Sequence, residues 1–298
     1  MTRSEFISRR KVGIGGSDIA AIAGLSAWRS PLDVYYDKMN TAAEYTESYP
    51  VGETAALYWG SVHEAAIGKA YTAITGRKIQ HYNRLLSHPE KPYFIGDVDF
   101  LAYCSNGRRP AKPQGEILTD KGIECKTARF ASEEWGESGT DEIPLQYLCQ
   151  VQWYMGLVPS IQSFDLVVLF AGSDLRIYTV NRDDNVISKL HRIGERFWQE
   201  NILQRVPPPP RSIEEVQRLK PVPIAKSKLA SAETEIKCRE LAKVSANRLE
   251  LEKTEKQLKT AIALEMADTE ELVLPDNTVI ATFKNERNSR VFRLKKIK

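Results

Sequence analysis

The stretch from Pro92 to Ala128 decides the reading: PYFIGDVDFLAYC (92–104), a basic insertion SNGRRPAKPQG (105–115), then ILTDKGIECKTA (117–128). The two outer pieces are short, apolar or alternating, and bounded by turn residues, which is the pattern of strands. Residues two apart in a strand share a face. Glu124 and Lys126 therefore project together, while Ile123, Cys125 and Thr127 face the other way. Asp97 and Asp99 likewise share a face of the preceding strand. Buried strands ordinarily avoid charge, so two charges side by side need a use or a solvent face. If the strands are neighbours, two or three carboxylates and an ammonium converge. ILTDKGIECK is expected to be a hairpin with Asp120, Lys121 and Gly122 in its turn.

Such a cluster suits phosphodiester hydrolysis with a hard cation. Mg²⁺ takes oxygen ligands and keeps several waters, with Mn²⁺ as a possible substitute. Asp99 and Glu124 offer carboxylate oxygens and Cys125 a main-chain carbonyl. Lys126 is placed to orient or deprotonate the attacking water and to offset charge on the phosphate. The spacing D-x(n)-E-x-K recurs by chance in many sequences, so its context matters.

Working outward, GIGGSDIAAIAGLS (13–26) reads as a glycine-rich turn and a short helix with Ser17 or Asp18 as N-cap. The amides of Gly15 and Gly16 are candidate phosphate donors there. SPLDVYYDKM (30–39) predicts a helix begun by Ser30 and Asp33 with Pro31 at its first position. WGSVHEAAIGKAYTAIT (59–75) keeps helical spacing and closes at Gly76. Downstream come a helix from near Pro144 (IPLQYLCQVQWYMGL, 143–157), strands in SFDLVVLFAG (163–172) and LRIYTVNRDD (175–184), and an amphipathic helix over 184–203.

Four prolines at 207–210 and PVP at 221–223 mark a stiff, extended linker, set at 207–225 between a core of 1–206 and an appendage of 226–298. Residues 231–267 favour a long helical arm or hairpin, with apolar positions too irregular for a strict heptad. LVLPDNTVIATFK (272–284) predicts a small β-hairpin across Asp276 and Asn277.

The 298 residues are 42% hydrophobic and 27% charged, the balance of a soluble globular protein. No apolar run has the length of a membrane span, and MTRSEFISRRKVG lacks a secretory apolar stretch, so a cytoplasmic setting is expected. Cys104, Cys125, Cys149 and Cys238 lie far apart without a CxxC pair, which argues for reduced, structural thiols. Net charge is only +3, yet the last fifteen residues hold seven Lys or Arg against one Glu. Local basic clusters of this kind suit phosphate contacts or stand as solvated tails. His63, His81, His88 and His191 have no second histidine at ligand spacing and read as structural. Trp28, Trp59 and Trp135 are read first as core packing, with stacking on DNA ends as the alternative.

Five ordered blocks resemble the YqaJ-type viral recombinase (alkaline exonuclease) family of the PD-(D/E)XK nuclease superfamily: RRKVGIGGSDIAAIAGLS (9–26), WGSVHEAAIGKAY (59–71), GDVDFLA (96–102), GIECKTA (122–128) and IPLQYLCQVQWYMGL (143–157). The resemblance implies a restriction-endonuclease-like core with a central mixed β-sheet flanked by helices, to which the C-terminal arm and hairpin are added. It implies Asp99 and Glu124 as metal ligands, Lys126 as the catalytic lysine, Glu64 as an acidic helix residue beside the metal, and Gln150 as the glutamine that holds the site together. Arg10 and Ser17, with Tyr147, fall where such nucleases hold a 5′-terminal phosphate. One departure is Phe100, where relatives usually carry glycine after the metal aspartate, which leaves Asp97 and Asp99 both in play. The basic insertion at 105–115 reads as a loose loop or a DNA contact.

The implied activity is metal-dependent digestion of linear double-stranded DNA from an end, 5′→3′, leaving 3′ single strands for phage-type recombination. A single-strand annealing partner and a ring-shaped homo-oligomer are implied with it. Two alternatives remain open: a DNA endonuclease using the same site, and a non-catalytic DNA-binding or assembly module.

Overall fold

The structure is a computed structural model that describes residues 11–40, 51–52, 55–286 and 289–295. Two compact units divide it, 1–221 and 222–298. The first is built on a five-stranded mixed sheet: β1 (Ile79–His81), β4 (Phe100–Ala102), β5 (Lys121–Ala128), β6 (Ser163–Phe170) and β7 (Asp174–Asn181), side by side in that order. A two-stranded ribbon, β2 (Leu86–Ser87) with β3 (Ile95–Gly96), is separate. Among the described strands of this sheet, only β5 and β6 run parallel. Their crossover is α4 (Leu145–Leu157), which supplies the length a parallel connection needs.

Register sorts side chains between two layers. Ile123 and Val167 meet Ile67 and Tyr71 of α3 (Ala55–Thr75) on one face. On the other, Phe164, Leu166 and Val168 pack with Val151 and Trp153 of α4 and Ile19 of α1 (Gly16–Ile22). Trp153 donates its indole N–H to the Ile95 carbonyl at 2.8 Å, joining α4 to the β2–β3 ribbon. α5 (Asp184–Phe197) continues as a π-helical turn, Trp198–Leu203. Gln152 bridges this layer: its amide donates to Asn181 O and accepts from Asp183 N, at the N-cap of α5.

Several local expectations hold. α2 (Pro31–Met39) starts at Ser30, whose hydroxyl accepts from Asp33 N while the Asp33 carboxylate accepts from Ser30 N. Gly76 ends α3 with φ +70, where glycine carries no Cβ penalty. Others are corrected. The predicted hairpin across Asp120–Gly122 does not form: β5 begins at Lys121 and takes β4 and β6 as partners, and Ile117 makes only an isolated bridge to Ala111. The strand expected over 92–104 is broken, with residues 97–99 outside β3 and β4. Alternation survives the break, for Val98 is fully buried between the half-buried Asp97 and Asp99.

The N-cap of α1 is Gly15 rather than Ser17 or Asp18. Asp18 reaches back to accept the Gly15 amide at 3.0 Å, so that amide is already engaged. The basic insertion is not loose. Tyr82 donates to Gly115 O, Arg84 to Pro113 O, and Lys112 pairs with Glu116. Nor is 207–225 extended throughout. Ser212 caps α6 (Ile213–Leu219), whose Arg218 lies over the Tyr36 ring at 4.1 Å and pairs with Asp33 at 2.8 Å. Trp28 is 81% exposed and Trp59 46%, against the core-packing expectation, while Trp135 packs on Tyr147, Phe170 and Tyr178.

In the second unit, α7 (Ala232–Met266) is one continuous helix, capped by Ser231 and laced by i,i+4 pairs such as Lys237–Glu233 and Lys259–Glu255. The expected hairpin is present as β8 (Glu271–Val273) with β9 (Val279–Glu286), the turn passing through Asn277 at φ +67. A third strand, β10 (Ser289–Leu294), adds to β9, so the basic end of the chain is partly sheet. Among the described residues, no helix is long and apolar enough to cross a membrane.

Candidate active site

β4 is short, and its ladder on β5 ends at the Phe100–Ile123 pair. Beyond that point the edge of β5 is open, and a cavity of about 410 Å³ lies there. Ser17 of α1, Gly60, Ser61 and Glu64 of α3, Asp97, Asp99, Glu124, Cys125, Lys126 and Thr127, and Gln150 and Tyr154 of α4 line it. The gap lets side chains from both faces of the sheet meet: Glu124 and Lys126 from the α4 side, Glu64 from the α3 side. Among the described residues predicted for the site, Gly15, Gly16 and Tyr147 are not in this lining. Arg10 lies outside the described residues. Tyr147 sits behind the site, with Lys126 Nζ 5.6 Å from its ring centre. A larger cavity of about 730 Å³, along α2 and Arg218, contains none of the predicted residues.

Asp99 is fastened to β5 by its side chain. Its Oδ2 accepts the Cys125 amide at 2.7 Å, at the position β4 has vacated. The N–H and C=O of one strand residue point to the same edge, so the Cys125 carbonyl faces this edge too. This docking separates Asp99 from Asp97, although both line the cavity. Phe100, in place of the expected glycine, is accommodated by Gly68 on α3, where a Cβ would lie 2.9 Å from the Phe100 ring.

Glu124 is 3% exposed, and its Oε1 accepts from Lys126 Nζ at 2.7 Å and from Gln150 Nε2 at 2.6 Å. Gln150 also donates to the Tyr154 hydroxyl at 2.9 Å. Glu124 Oε2 is buried without a hydrogen-bond partner, a costly condition for a carboxylate oxygen. Burial and the Asp99 charge push the Glu124 carboxyl up to about 8, against the pull of Lys126. Burial, with Glu64 and Asp97 nearby, pushes Asp99 up to about 7, again against Lys126. Burial works against the Lys126 ammonium, but the Glu124 and Asp99 carboxylates hold it above the ordinary lysine range. Glu64 Oε1 lies 2.9 Å from His81 Nε2, and His81 rests edge-on to Phe100.

The donor set fits a hard divalent cation. It offers a buried and a half-buried carboxylate that repel one another, an orphaned oxygen on the buried one, and a carbonyl at an open strand edge. Among the described residues no group of three or more His, Cys, Asp or Glu side chains is placed to hold a metal by themselves. Two carboxylates, one carbonyl and several waters match the way Mg²⁺ is commonly held.

The family model of the YqaJ-like viral recombinase domain matches residues 5–158, which contain every residue of this cavity. The chain belongs to that family. A YqaJ-like relative, the uncharacterized protein YqaJ of Bacillus subtilis (strain 168), is 31% identical over 208 residues, covering 68% of this chain and 57% of that protein. The chain thus matches little more than half of that relative's length. Solved structures similar to this YqaJ-like domain include an alkaline exonuclease (LHK-Exo) from Laribacter hongkongensis, with 17% identity, TM-score 0.48, and coverage of 72% of this chain and 96% of that one. A phage related exonuclease from Haemophilus somnus 129PT gives 11% identity, TM-score 0.44, and coverage of 65% and 96%.

Two roles, one in the YqaJ-like site and one beside it, escaped the sequence reading. Tyr154 is a partner of Gln150, and the i,i+4 spacing on α4 was the available signal. Asp18, one residue from Ser17, is buried between Arg29 at 2.9 Å and Lys38 at 2.8 Å. Its signal was a charge inside the apolar run of α1. Replacing Gln150 by Ala removes a donor from Glu124 while leaving the Asp99 and Glu124 carboxylates in place. A loss of roughly 10–100-fold in metal affinity or activity is expected, as for other residues that orient ligands. Isothermal titration with Mn²⁺ checks it, and unchanged affinity together with unchanged turnover would refute this role.

Proposed function

We propose that this chain is a Mg²⁺-dependent nuclease that hydrolyses linear double-stranded DNA from an end, in the 5′→3′ direction. The observation that carries the reading is the meeting of Asp99, Glu124 and Lys126 at one open strand edge, with Gln150 and Glu64 against them. When bound there, the divalent cation supplies a Lewis acid that polarises the scissile phosphate and lowers the pKa of a water.

The chain's own groups do the rest. Burial and mutual repulsion push the Asp99 and Glu124 carboxyls up, so a bound cation is what brings both to full negative charge beside Lys126. Gln150 and Lys126 occupy Glu124 Oε1 and fix the rotation of that carboxylate. Lys126, kept charged by its neighbours, donates to the phosphate oxygens and offsets their charge as water adds to phosphorus and the P–O bond to the leaving sugar breaks. This favours electrostatic stabilisation over proton abstraction, which requires a neutral amine. Ser17, exposed at the cavity rim, brings a hydroxyl toward a terminal phosphate, and Arg10 is the proposed second donor.

Release of 3′ single strands to an annealing partner and a ring-shaped homo-oligomer around the duplex complete the proposal. The test compares 5′-phosphorylated linear duplex, the same duplex dephosphorylated, and a covalently closed circle, with Mg²⁺ or Mn²⁺. Nucleotide release from linear DNA, fastest with the 5′-phosphate and absent from the circle, is expected. Cutting of the circle would replace the reading by an endonuclease. Failure to cut any substrate would leave a DNA-binding module.

A further inference from the structure

A second cavity of about 260 Å³ lies beside the candidate site on the α3 face of the sheet, lined by Trp59, His63, Thr127, Ala128, Arg129 and Leu169. Thr127 lines both cavities, so the two adjoin along the C-terminal half of β5. Trp59 and His63 stand one helical turn apart, their ring centres 5.9 Å apart and their planes at 30°, which gives the wall a broad aromatic face. Trp59 is 46% exposed, and Arg129 is exposed where the chain leaves β5. An open aromatic face with a guanidinium beside it, adjoining a cluster of carboxylates, has the chemistry that takes a planar ring carrying a phosphate.

The geometry points to this cavity as a base-stacking subsite for the nucleotide next to the scissile phosphate, with Trp59 against the base and Arg129 on the flanking phosphate. The inference rests on the nuclease reading above. The volume is below the roughly 300–1,000 Å³ of drug-sized pockets, which suits one ring system rather than several. Stacking accepts every base because each has a π-face, and an enzyme that digests any sequence needs that tolerance. Arg129 binds phosphate through a planar fork and adds no base preference.

The full chain is titrated, in the presence of EDTA, with 3′-labelled 5′-phosphorylated trinucleotides in which each position in turn is abasic, read by anisotropy. An abasic residue at one position is expected to weaken wild-type binding about tenfold, and Trp59→Ala binding below about twofold. Trp59→Phe restores the penalty, and His63→Ala lowers it in part should Trp59→Ala fold poorly. Arg129→Gln weakens all the trinucleotides alike and reduces the salt dependence. An abasic penalty equal in wild type and Trp59→Ala, or none at any position, overturns the subsite. Base-dependent binding without cleavage of any DNA in Mg²⁺ or Mn²⁺ would support the subsite and overturn the nuclease reading. Cleavage without base-dependent binding would overturn the subsite alone.

Discussion

Replacing Lys126 by Ala is expected to lower the rate of DNA cleavage about 10²–10³-fold at neutral pH, the usual effect of deleting one donor to developing charge. The side chain is well placed for such a loss. Its ammonium is 2.7 Å from Glu124 Oε1 and is held charged by two carboxylates, so it is a fixed cation and not a titrating base. Single-turnover cleavage of linear duplex measures the effect, with circular dichroism and urea unfolding showing that the variant keeps the wild-type fold. Lys126→Arg retains the charge in a larger, planar shape and should fall between the two. A loss below about tenfold in Lys126→Ala would show that the lysine is not the charge-stabilising group.

The second large effect is on stability. Asp18 and Lys38 are 6% and 4% exposed in their side chains and 2.8 Å apart, with Arg29 2.9 Å from the other carboxylate oxygen. Breaking a buried pair by removing one partner costs about 3–5 kcal/mol because a charge stays behind in a poor solvent. Asp37 remains 3.7 Å from Lys38, so the low end applies and Asp18→Asn should cost about 3 kcal/mol. For a domain of this size that lowers Tm by roughly 6–12 °C.

The pH dependence has a definite sign. Burial alone would raise the Asp18 carboxyl, but Lys38 and Arg29 hold it below its ordinary value. A depressed folded-state pKa gives stability that is full above the unfolded value of about 3.9 and is lost as pH falls through the folded one. The difference between wild type and Asp18→Asn should therefore be largest at neutral pH and shrink in acid. Urea unfolding at both ends of that range checks it, and a gap that stays constant would point to packing instead of charge.

Much of the site could be read from the residues because a strand's period is simple. Glu124 and Lys126 share a face whatever β5 pairs with. The neighbours of β5 were harder to read. Residues 117–120 resemble a hairpin arm locally, yet the parallel β6 pairs along the whole of β5 and β4 takes its other edge, and tertiary pairing won. The break between β3 and β4 was hidden because Val98 keeps the alternation of a continuous strand. Long-range partnerships left no local signal. The Glu64–His81 contact, the Asp99 bond to the Cys125 amide and the Lys121–Asp165–Tyr71 network each join separate elements. Phe100 seemed out of place until Gly68, thirty-two positions earlier, supplied its space.

The bond from the Cys125 amide to Asp99 has a meaning apart from catalysis. A strand edge that stops pairing halfway is a template on which another chain can add a strand, and proteins commonly guard such edges with charge. At the open half of β5 the guard is the Asp99 carboxylate, which both occupies the amide and places negative charge beside it. Asp99→Ala would therefore change two properties at once, removing a carboxylate proposed to hold the cation and exposing an adhesive edge. Self-association of such a variant would say nothing about the reaction. Asp99→Asn, which keeps an acceptor oxygen at the amide, separates loss of chemistry from loss of colloidal protection.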